Sequence, residues 1–254
     1  FEAALEKAKA AGETPIQFGN LEQWPGIHEF QAVQNGIAEK DYLRDFVFGQ
    51  GGVSFETEAN TDAAARLKQW VDAGYFTEGF NGVSYDDAWP NFSKGEGVFL
   101  ITGTWLGADL QDSMGDDVGF FPLPAPEGGE QISLGGEGLP FSITANSDQP
   151  EAAAAYLDFV TDAHATEVIA EAGGLPAPKL GDVELASGTL QADIFAAWDQ
   201  LNSKDAIVPY LDYATPTFYD TITASVQELM AEKADPEQFV STVNEDYTSF
   251  LGTN

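Results

Sequence analysis

The sequence has 254 residues, of which 43% are hydrophobic and 12% aromatic, and this composition is typical of a folded chain and excludes a disordered one. Ten Lys and Arg residues against 42 Asp and Glu residues give a net charge of −32, which argues against nucleic acids and anionic membrane surfaces as partners. The lack of cysteine excludes disulfides and thiolate metal sites, and no apolar run approaches the roughly 20 residues of a membrane helix.

The acidic residues occur along the whole chain rather than in one tail. This distribution is typical of a solvated acidic surface that keeps a protein soluble. Adaptation to high salt, which screens the repulsion between carboxylates, is a second hypothesis that the sequence leaves open.

Helical and extended segments alternate along the chain, which is typical of an α/β fold. The chain opens in a helix, without Met or a signal peptide, and this indicates a fragment or a chain whose earlier part is missing. Capping residues, prolines and apolar repeats predict further helices that begin near Asn60 or Thr61, Ser84, Pro150, Leu190, Thr215 and Asp235. The last two are predicted to carry apolar stripes, which consist of Phe218, Ile222, Val226 and Leu229 in one helix and of Phe239, Val243, Tyr247 and Phe250 or Leu251 in the other. The predicted strands are residues 16–19, 98–102, 118–122 and 141–145.

Motifs for a cofactor, a metal or a catalytic nucleophile are missing from the sequence. The glycines at 49, 51 and 52 are followed by Ser54 where a dinucleotide fingerprint needs its third glycine. The two histidines, His28 and His164, are far apart in the sequence. A glycosidase with two catalytic carboxylates stays an alternative, because 42 acidic residues form many candidate pairs. We predict no cofactor, no metal and no catalytic residue.

Two tryptophans stand outside the apolar repeats. Trp70 and Trp198 lie on helical stripes and are predicted to be core residues, whereas Trp24 lies among polar residues and Trp105 follows a predicted strand. Ligands of open α/β sheets bind beyond the carboxyl ends of the strands. A sugar needs an aromatic ring against its apolar face and polar side chains for its hydroxyls, and "GNLEQW" and "SYDDAW" supply both.

Seven segments have an order and spacing that carry a family resemblance. They are "FEAALEKAKAAGETPIQFGN", "ARLKQWVDAGYF", "SYDDAWPNFSKGEGVFLITGTW", "VGFFPLPAPEGG", "LGGEGLPFSITANSDQPEAAAAYLDFVTD", "GGLPAPK" and "YATPTFYDTITASVQELM". In this order the chain resembles bacterial ABC-transporter extracellular solute-binding proteins of family 1, which include maltose- and oligosaccharide-binding proteins. The resemblance covers essentially the whole chain. The chain departs from the family pattern at Pro90 inside a helix, at Gly97-Val98-Phe99 where the family has a small residue and Met, and in the missing opening segment of the first lobe.

The resemblance implies an α/β fold of the periplasmic-binding-protein-like type II, with two lobes, a cleft between them and an incomplete first lobe. Residues 1–130 would form the second, C-terminal lobe, residues 131–204 would return into the first lobe, and residues 205–254 would supply the closing helices of the second lobe. It also implies a monomer outside the cytoplasm, in the periplasm or lipid-anchored on the cell surface, with its signal peptide outside this sequence and an ABC permease as its partner.

The resemblance further implies a ligand site at the lobe interface. Its residues would be Asn20, Glu22, Trp24, His28, Asp86, Trp105, Gly135, Gly136, Glu137, Phe218 and Tyr219. Structural roles stay open for Phe218 in the core, Asp86 at a helix N-terminus, His28 in a loop, and Gly135 and Gly136 in a turn.

The predicted function is capture of a mono- or oligosaccharide by aromatic stacking and hydroxyl hydrogen bonds, with hinge closure and no enzymatic activity. Three alternatives remain at this stage: a secreted carbohydrate-active enzyme, the same fold with a cationic ligand such as a polyamine, and a lobe fragment that binds nothing alone.

Overall fold

The computed structural model describes residues 1–136, 141–175 and 185–253. The chain forms two compact units. Unit 1 comprises Phe1–Thr102, Pro122–Gly136 and Leu201–Asn254, and unit 2 comprises Gly103–Phe121 and Glu137–Gln200. The predicted lobe boundaries after residues 130 and 204 lie within a few residues of two of these breaks, whereas the passage of residues 103–121 into unit 2 was not predicted. The assignment of the two units to two lobes stays a prediction.

Eleven α-helices lie in the described part of the chain. They are α1 (Glu2–Ala10), α2 (Trp24–Gln34), α3 (Lys40–Val47), α4 (Glu58–Asp72), α5 (Tyr85–Phe92), α6 (Gly107–Met114), α7 (Pro150–Val160), α8 (Ala163–Glu171), α9 (Leu190–Ser203), α10 (Phe218–Met230) and α11 (Pro236–Thr253). Two short parallel strands, β1 (Ser133–Leu134) and β2 (Ile207–Val208), pair Ser133 with Ile207 and Leu134 with Val208.

Local sequence signals explain the ends of several helices. The predicted capping box at Ser84 is confirmed, because its Oγ accepts a hydrogen bond from the N–H of Asp87 at 3.0 Å and donates to the Asp87 carboxylate at 2.6 Å. Helix α4 begins earlier than predicted, because Thr57, and not Asn60 or Thr61, caps it through the N–H of Asn60.

The core of unit 1 is an aromatic cluster between α2, α3, α4, α10 and α11. The apolar stripe predicted for α10 is confirmed, since Phe218, Ile222, Val226 and Leu229 are all fully buried. The ring of Phe218 packs 5.4 Å from that of Phe46 and 6.1 Å from that of Phe55, measured between ring centroids. The equivalent stripe on α11 is confirmed for Phe239, Val243 and Tyr247, which are buried. Its predicted last position is not buried, since Phe250 is partly buried and Leu251 is 39% exposed. Burial of these large rings removes their apolar surface from water and so stabilises unit 1.

None of the four predicted segments forms a regular β-strand in the structure. Residue Ile16 forms only isolated parallel bridges, to Phe76 and Phe99, so the segments 16–19 and 98–102 are paired but do not extend into ladders. Gly19 is required in this extended segment, because a Cβ there would lie 2.3 Å from the carbonyl oxygen of Ser84. Segments 118–122 and 141–145 form no strand, and Phe141 is 68% exposed. An apolar run becomes a strand only where a neighbouring strand pairs with it.

A buried acid lies in the middle of α2. Glu29 is fully buried, and neither of its carboxyl oxygens has a hydrogen-bond partner among the described residues. Burial penalises the charged form and raises the pKa of Glu29 well above its ordinary value of 4.5. Because the folded-state pKa is raised, the contribution of Glu29 to stability is fully present below pH 4.5 and is lost as the pH rises through the folded-state value.

We therefore expect Glu29→Gln to stabilise the fold by about 1–3 kcal/mol at pH 7, because the glutamine needs no proton to stay neutral. The gain should shrink as the pH falls towards 4.5. Urea unfolding at a series of pH values measures it. Glu245→Gln on α11 removes the same charge from an exposed position and should change little. A Glu29→Gln variant that is less stable than the parent at pH 7 would contradict the prediction.

Candidate functional site

The turn that leads into α2 is fixed by side-chain amides. Asn20 is fully buried, and its side chain accepts a hydrogen bond from the N–H of Gly26 and donates one to Asn81, both at 2.8 Å. Gln227 on α10 donates to the backbone carbonyl of Asn20 at 3.0 Å. These bonds hold the first turn of α2 against α10, and Trp24 is the first residue of that helix.

The residue before Trp24 has a strained backbone. Gln23 has a φ of 69°, which is uncommon for a residue other than glycine, and its side chain donates to that of Gln227 at 2.8 Å. Such strain persists only where the surroundings hold it, and it concentrates at functional sites. The start of α2 is therefore a strong candidate for a functional position.

Five aromatic side chains of unit 1 lie next to one another from α5 through α2 to the segment after β2. We call Tyr85, Trp24, His28, Tyr210 and Tyr213 the aromatic row. Successive ring centroids along the row are 4.6, 5.3, 5.7 and 5.5 Å apart. Tyr213 is 48% exposed, and the other four members are partly buried. The row therefore offers ring surface and polar ring atoms in one stretch.

Hydrogen bonds fix the α5 end of the row. The carboxylate of Glu22 accepts from the N–H of Tyr85 at 2.9 Å, at the first residue of α5. The hydroxyl of Tyr85 lies 2.7 Å from that of Thr102. Glu22 thus joins the turn before α2 to the start of α5, which is a positioning role.

The other end of the row is tied to α2 by Gln31. This buried side chain donates to the carbonyl of Pro209 at 2.8 Å, and its oxygen accepts from the N–H of Leu211 at 3.3 Å. A short 3₁₀ turn, Leu211–Tyr213, follows, and Leu211 is fully buried. This anchor lets the residues on either side of Leu211 reach the surface.

A half-buried acid lies among the tyrosines at this end. Burial raises the pKa of Asp212. Burial raises the pKa of both Tyr213 and Tyr219, and the negative charge of Asp212 raises it further. The Asp212 carboxylate therefore lies near both phenols. Tyr219, on α10, is 43% exposed. The group combines a hydrogen-bond acceptor with phenol hydroxyls beside exposed rings.

The structure brings some predicted site residues together. Trp24 and His28 belong to the row, Glu22 braces it, and Tyr219 lies near Asp212. Asp86, next to Tyr85, is exposed in the first turn of α5.

Other predicted residues have a different place. Asn20 is buried and holds the backbone, and Phe218 is fully buried beside Phe46, so our proposal below leaves both out. Gly135 donates its N–H to the carbonyl of Val208 at 2.9 Å, and Gly136 is exposed. Glu137 lies outside the described residues.

Trp105 belongs to unit 2 and is 50% exposed. Its ring lies over the backbone of Gly103, because a Cβ at Gly103 would meet the ring at 1.9 Å. The position of the Trp105 ring therefore requires glycine at position 103.

Sequence reasoning missed four residues of this group: Tyr85, Tyr210, Asp212 and Tyr213. The signal that could have found them is the density of aromatic and acidic residues in "SYDDAW" and "VPYLDYATPTFY", each at or just before a helix start.

In the part of the chain that the structure describes, no group of three or more His, Asp or Glu residues could hold a metal ion. Among the described helices, none has the length and apolar character needed to cross a membrane.

The family profile described as "Bacterial extracellular solute-binding protein" matches residues 1–167. The multiple sugar-binding protein of Streptococcus mutans is 26% identical over 198 residues, which are 75% of this chain and 46% of that protein. The chain thus spans about half the length of this curated relative.

Solved structures share the fold. A chitin oligosaccharide binding protein superposes with a TM-score of 0.84 at 23% identity, covering 98% of this chain and 63% of that one. A Bacillus licheniformis sugar transporter in complex with stachyose superposes with a TM-score of 0.75 at 19% identity, covering 98% and 65%. The predicted α/β, type II periplasmic-binding-protein-like fold is thereby confirmed, and the chain carries part of it.

The partly buried imidazole of His28 gives a pH-dependent prediction. Burial lowers the pKa of His28 from 6.5 to about 4, so the folded state holds it neutral. Because the unfolded chain takes up the proton first, this stability is present above pH 6.5 and is lost as the pH falls from 6.5 towards 4. We expect His28→Gln to remove this part of the acid sensitivity.

Urea unfolding of both proteins between pH 4 and 7 measures the effect. The control is His164→Gln, at an exposed position on α8, which should leave the pH profile unchanged. Parallel profiles for the parent and His28→Gln would contradict the prediction.

Proposed function

The chain belongs to the bacterial extracellular solute-binding protein family, as the order of its motifs predicted, and from this premise we propose that it binds a mono- or oligosaccharide for an ABC importer. The observation that carries the proposal is the aromatic row of unit 1 with Asp212 beside it. A sugar ring has an apolar face that packs on an aromatic ring and hydroxyls that need acceptors and donors. The names of the Streptococcus mutans relative and of the solved structures support this ligand class.

The arrangement of the row favours a neutral ligand. Of the acids beside the row, Glu22 already accepts the N–H of Tyr85, and Asp212 lies half-buried beside the phenols of Tyr213 and Tyr219, where burial raises its pKa. The tyrosine hydroxyls and the neutral ring of His28 can exchange hydrogen bonds with hydroxyl groups. We therefore favour a sugar over a polyamine and propose no enzymatic role.

The proposal includes the expected transport cycle. The protein would act as a monomer outside the cytoplasmic membrane, in the periplasm or tethered to the cell surface, and would deliver its sugar to a membrane permease. Ligand binding would favour a closed state of a two-lobed protein in proportion to its higher affinity for that state. Trp105 of unit 2 is proposed as a second stacking residue.

The first test concerns Trp24. We expect Trp24→Ala to weaken sugar binding about tenfold or more, which corresponds to about 1.4 kcal/mol, because it removes the largest ring of the row. Titration calorimetry with a chitin oligosaccharide and with stachyose measures the affinity. Trp70→Phe is the control, because Trp70 is buried in the core of unit 1 and belongs to no part of the row. Equal affinities of Trp24→Ala and the parent for the bound sugar would refute the role of Trp24.

The second test concerns the acceptor. We expect Asp212→Asn to weaken sugar binding by about tenfold, since a hydrogen bond to a charged group contributes about 1.5–3 kcal/mol. The affinity of the parent should also fall when the pH drops below the raised pKa of Asp212. Asp112→Asn removes one charge from an exposed position on α6 and serves as the control.

The same titrations at molar salt separate the ligand classes. A neutral sugar should bind almost equally well at low and high salt, because no charge on the ligand is screened. Strong loss of binding with salt would instead support a cationic ligand.

A further inference from the structure

The two units differ in how their charges are balanced. The segments of unit 1 contain 27 Asp and Glu residues and nine Lys and Arg residues, whereas those of unit 2 contain 15 acidic residues and a single basic one, Lys179. All four ion pairs between described residues lie in unit 1. Unit 2 therefore has a negative charge that its own side chains leave almost entirely unneutralised.

The carboxylates of unit 2 are at its surface. Each of the twelve Asp and Glu residues that the structure describes in this unit is exposed, and its described residues include no Lys or Arg. These charges consequently interact with one another, with water and with mobile ions. Repulsion among them destabilises the compact state relative to the unfolded chain, in which like charges can move apart.

Several of these acids occupy unfavourable positions on their helices. The C-terminal end of a helix carries a partial negative charge, which cations stabilise and anions destabilise. The last turns of α6, α7 and α8 contain Asp112, Asp158 and Glu171, and none of them contains a basic residue. Glu167 and Glu171 are also four residues apart on α8, where like charges repel. In unit 1, by contrast, α1 has two lysines in its last turn.

We propose that the fold of unit 2 depends on salt: its helices need mobile ions to screen their carboxylates, whereas unit 1 keeps its structure at low ionic strength. The screening length falls from about 10 Å at 0.1 M salt to about 3 Å at 1 M. Side chains four residues apart on a helix are about 5–6 Å apart, so they repel at the lower concentration and are screened at the higher one. Of the two explanations for the acidic composition, the structure thus favours adaptation to high salt.

Mobile ions account for this dependence better than a bound metal does. Asp112, Asp158 and Glu171 lie on three different helices, and the described part of the chain contains no group of three or more His, Asp or Glu residues that could hold a metal ion. Screening depends on ionic strength and not on the identity of the cation. A bulky cation such as choline should therefore replace potassium.

Hydrogen exchange in KCl and in choline chloride, at about 0.1 M and about 2 M, tests the proposal. We expect the amides of α7 and α8 to exchange at least about tenfold faster at the lower concentration in both salts, because unit 2 opens more often there. The amides of α4 and α10 in unit 1 should change much less. Sulfate is avoided because it strengthens apolar burial by itself.

Two double variants separate unpaired from paired carboxylates. Asp158→Asn with Glu171→Gln removes two unpaired charges from unit 2, and we expect it to raise Tm at low salt by roughly 2–4 °C and to weaken the salt dependence. The matched control is Glu2→Gln with Asp205→Asn, which removes the same charge from carboxylates that are ion-paired to arginines of unit 1. This control should not raise Tm at low salt.

Three results would each overturn the proposal. These are exchange rates of α7 and α8 that do not change with salt, protection by KCl that choline chloride does not reproduce, and equal effects of the two double variants on Tm at low salt. No sugar is present in these measurements, so their outcome is independent of the proposed function.

Discussion

The burial of α2 is the constraint on which the rest of unit 1 depends. Nine of its eleven residues are buried, so the helix has almost no solvent face to accommodate polar groups. Its buried glutamines therefore find partners inside the protein, whereas Glu29 has none among the described residues. Gln31 bonds the chain at Pro209 and Leu211, and Gln34 donates to Asn60 on α4 at 2.7 Å. Each of these bonds fixes α2 relative to a segment that is distant in sequence.

The same constraint places the aromatic row. With its sides held by the core and by amide bonds, α2 projects Trp24 and His28 from its first turns, beside Tyr85 and Tyr210. None of the four is held by a flexible loop alone: Tyr85 is the first residue of α5, and Tyr210 precedes a turn anchored by Leu211. A rigid platform of this kind lowers the entropic cost of binding a ligand, because its side chains are already ordered.

The sequence predicts those parts of this site that depend on a local pattern, such as a helical repeat. It does not predict the parts that depend on contacts between distant residues. The burial of α10 followed from its apolar period, and the exposure of Tyr219 from the rotation of about 100° per residue that separates it from Phe218. Trp24 stood out because no stripe accounted for it. Asp212 and Tyr213 lie in a three-residue turn without a period, and their placement depends on Gln31, about 180 residues earlier. Strands 118–122 and 141–145 failed for a related reason, since an apolar run needs a pairing partner that its own sequence does not encode.

The acidic residues of the chain and the uncharged rings of the aromatic row lie in different environments, so both can occur in one protein. Exposed carboxylates dispersed over the surface interact with water and counterions, and salt screens them within about 10 Å at 0.1 M. Asp212 is half-buried, and this burial raises its pKa. A site that recognises its ligand through ring faces and hydroxyls can therefore retain its affinity as ionic strength varies. Under the proposed function, the acidic surface would keep the protein soluble, and the uncharged rings of the aromatic row would contact the ligand.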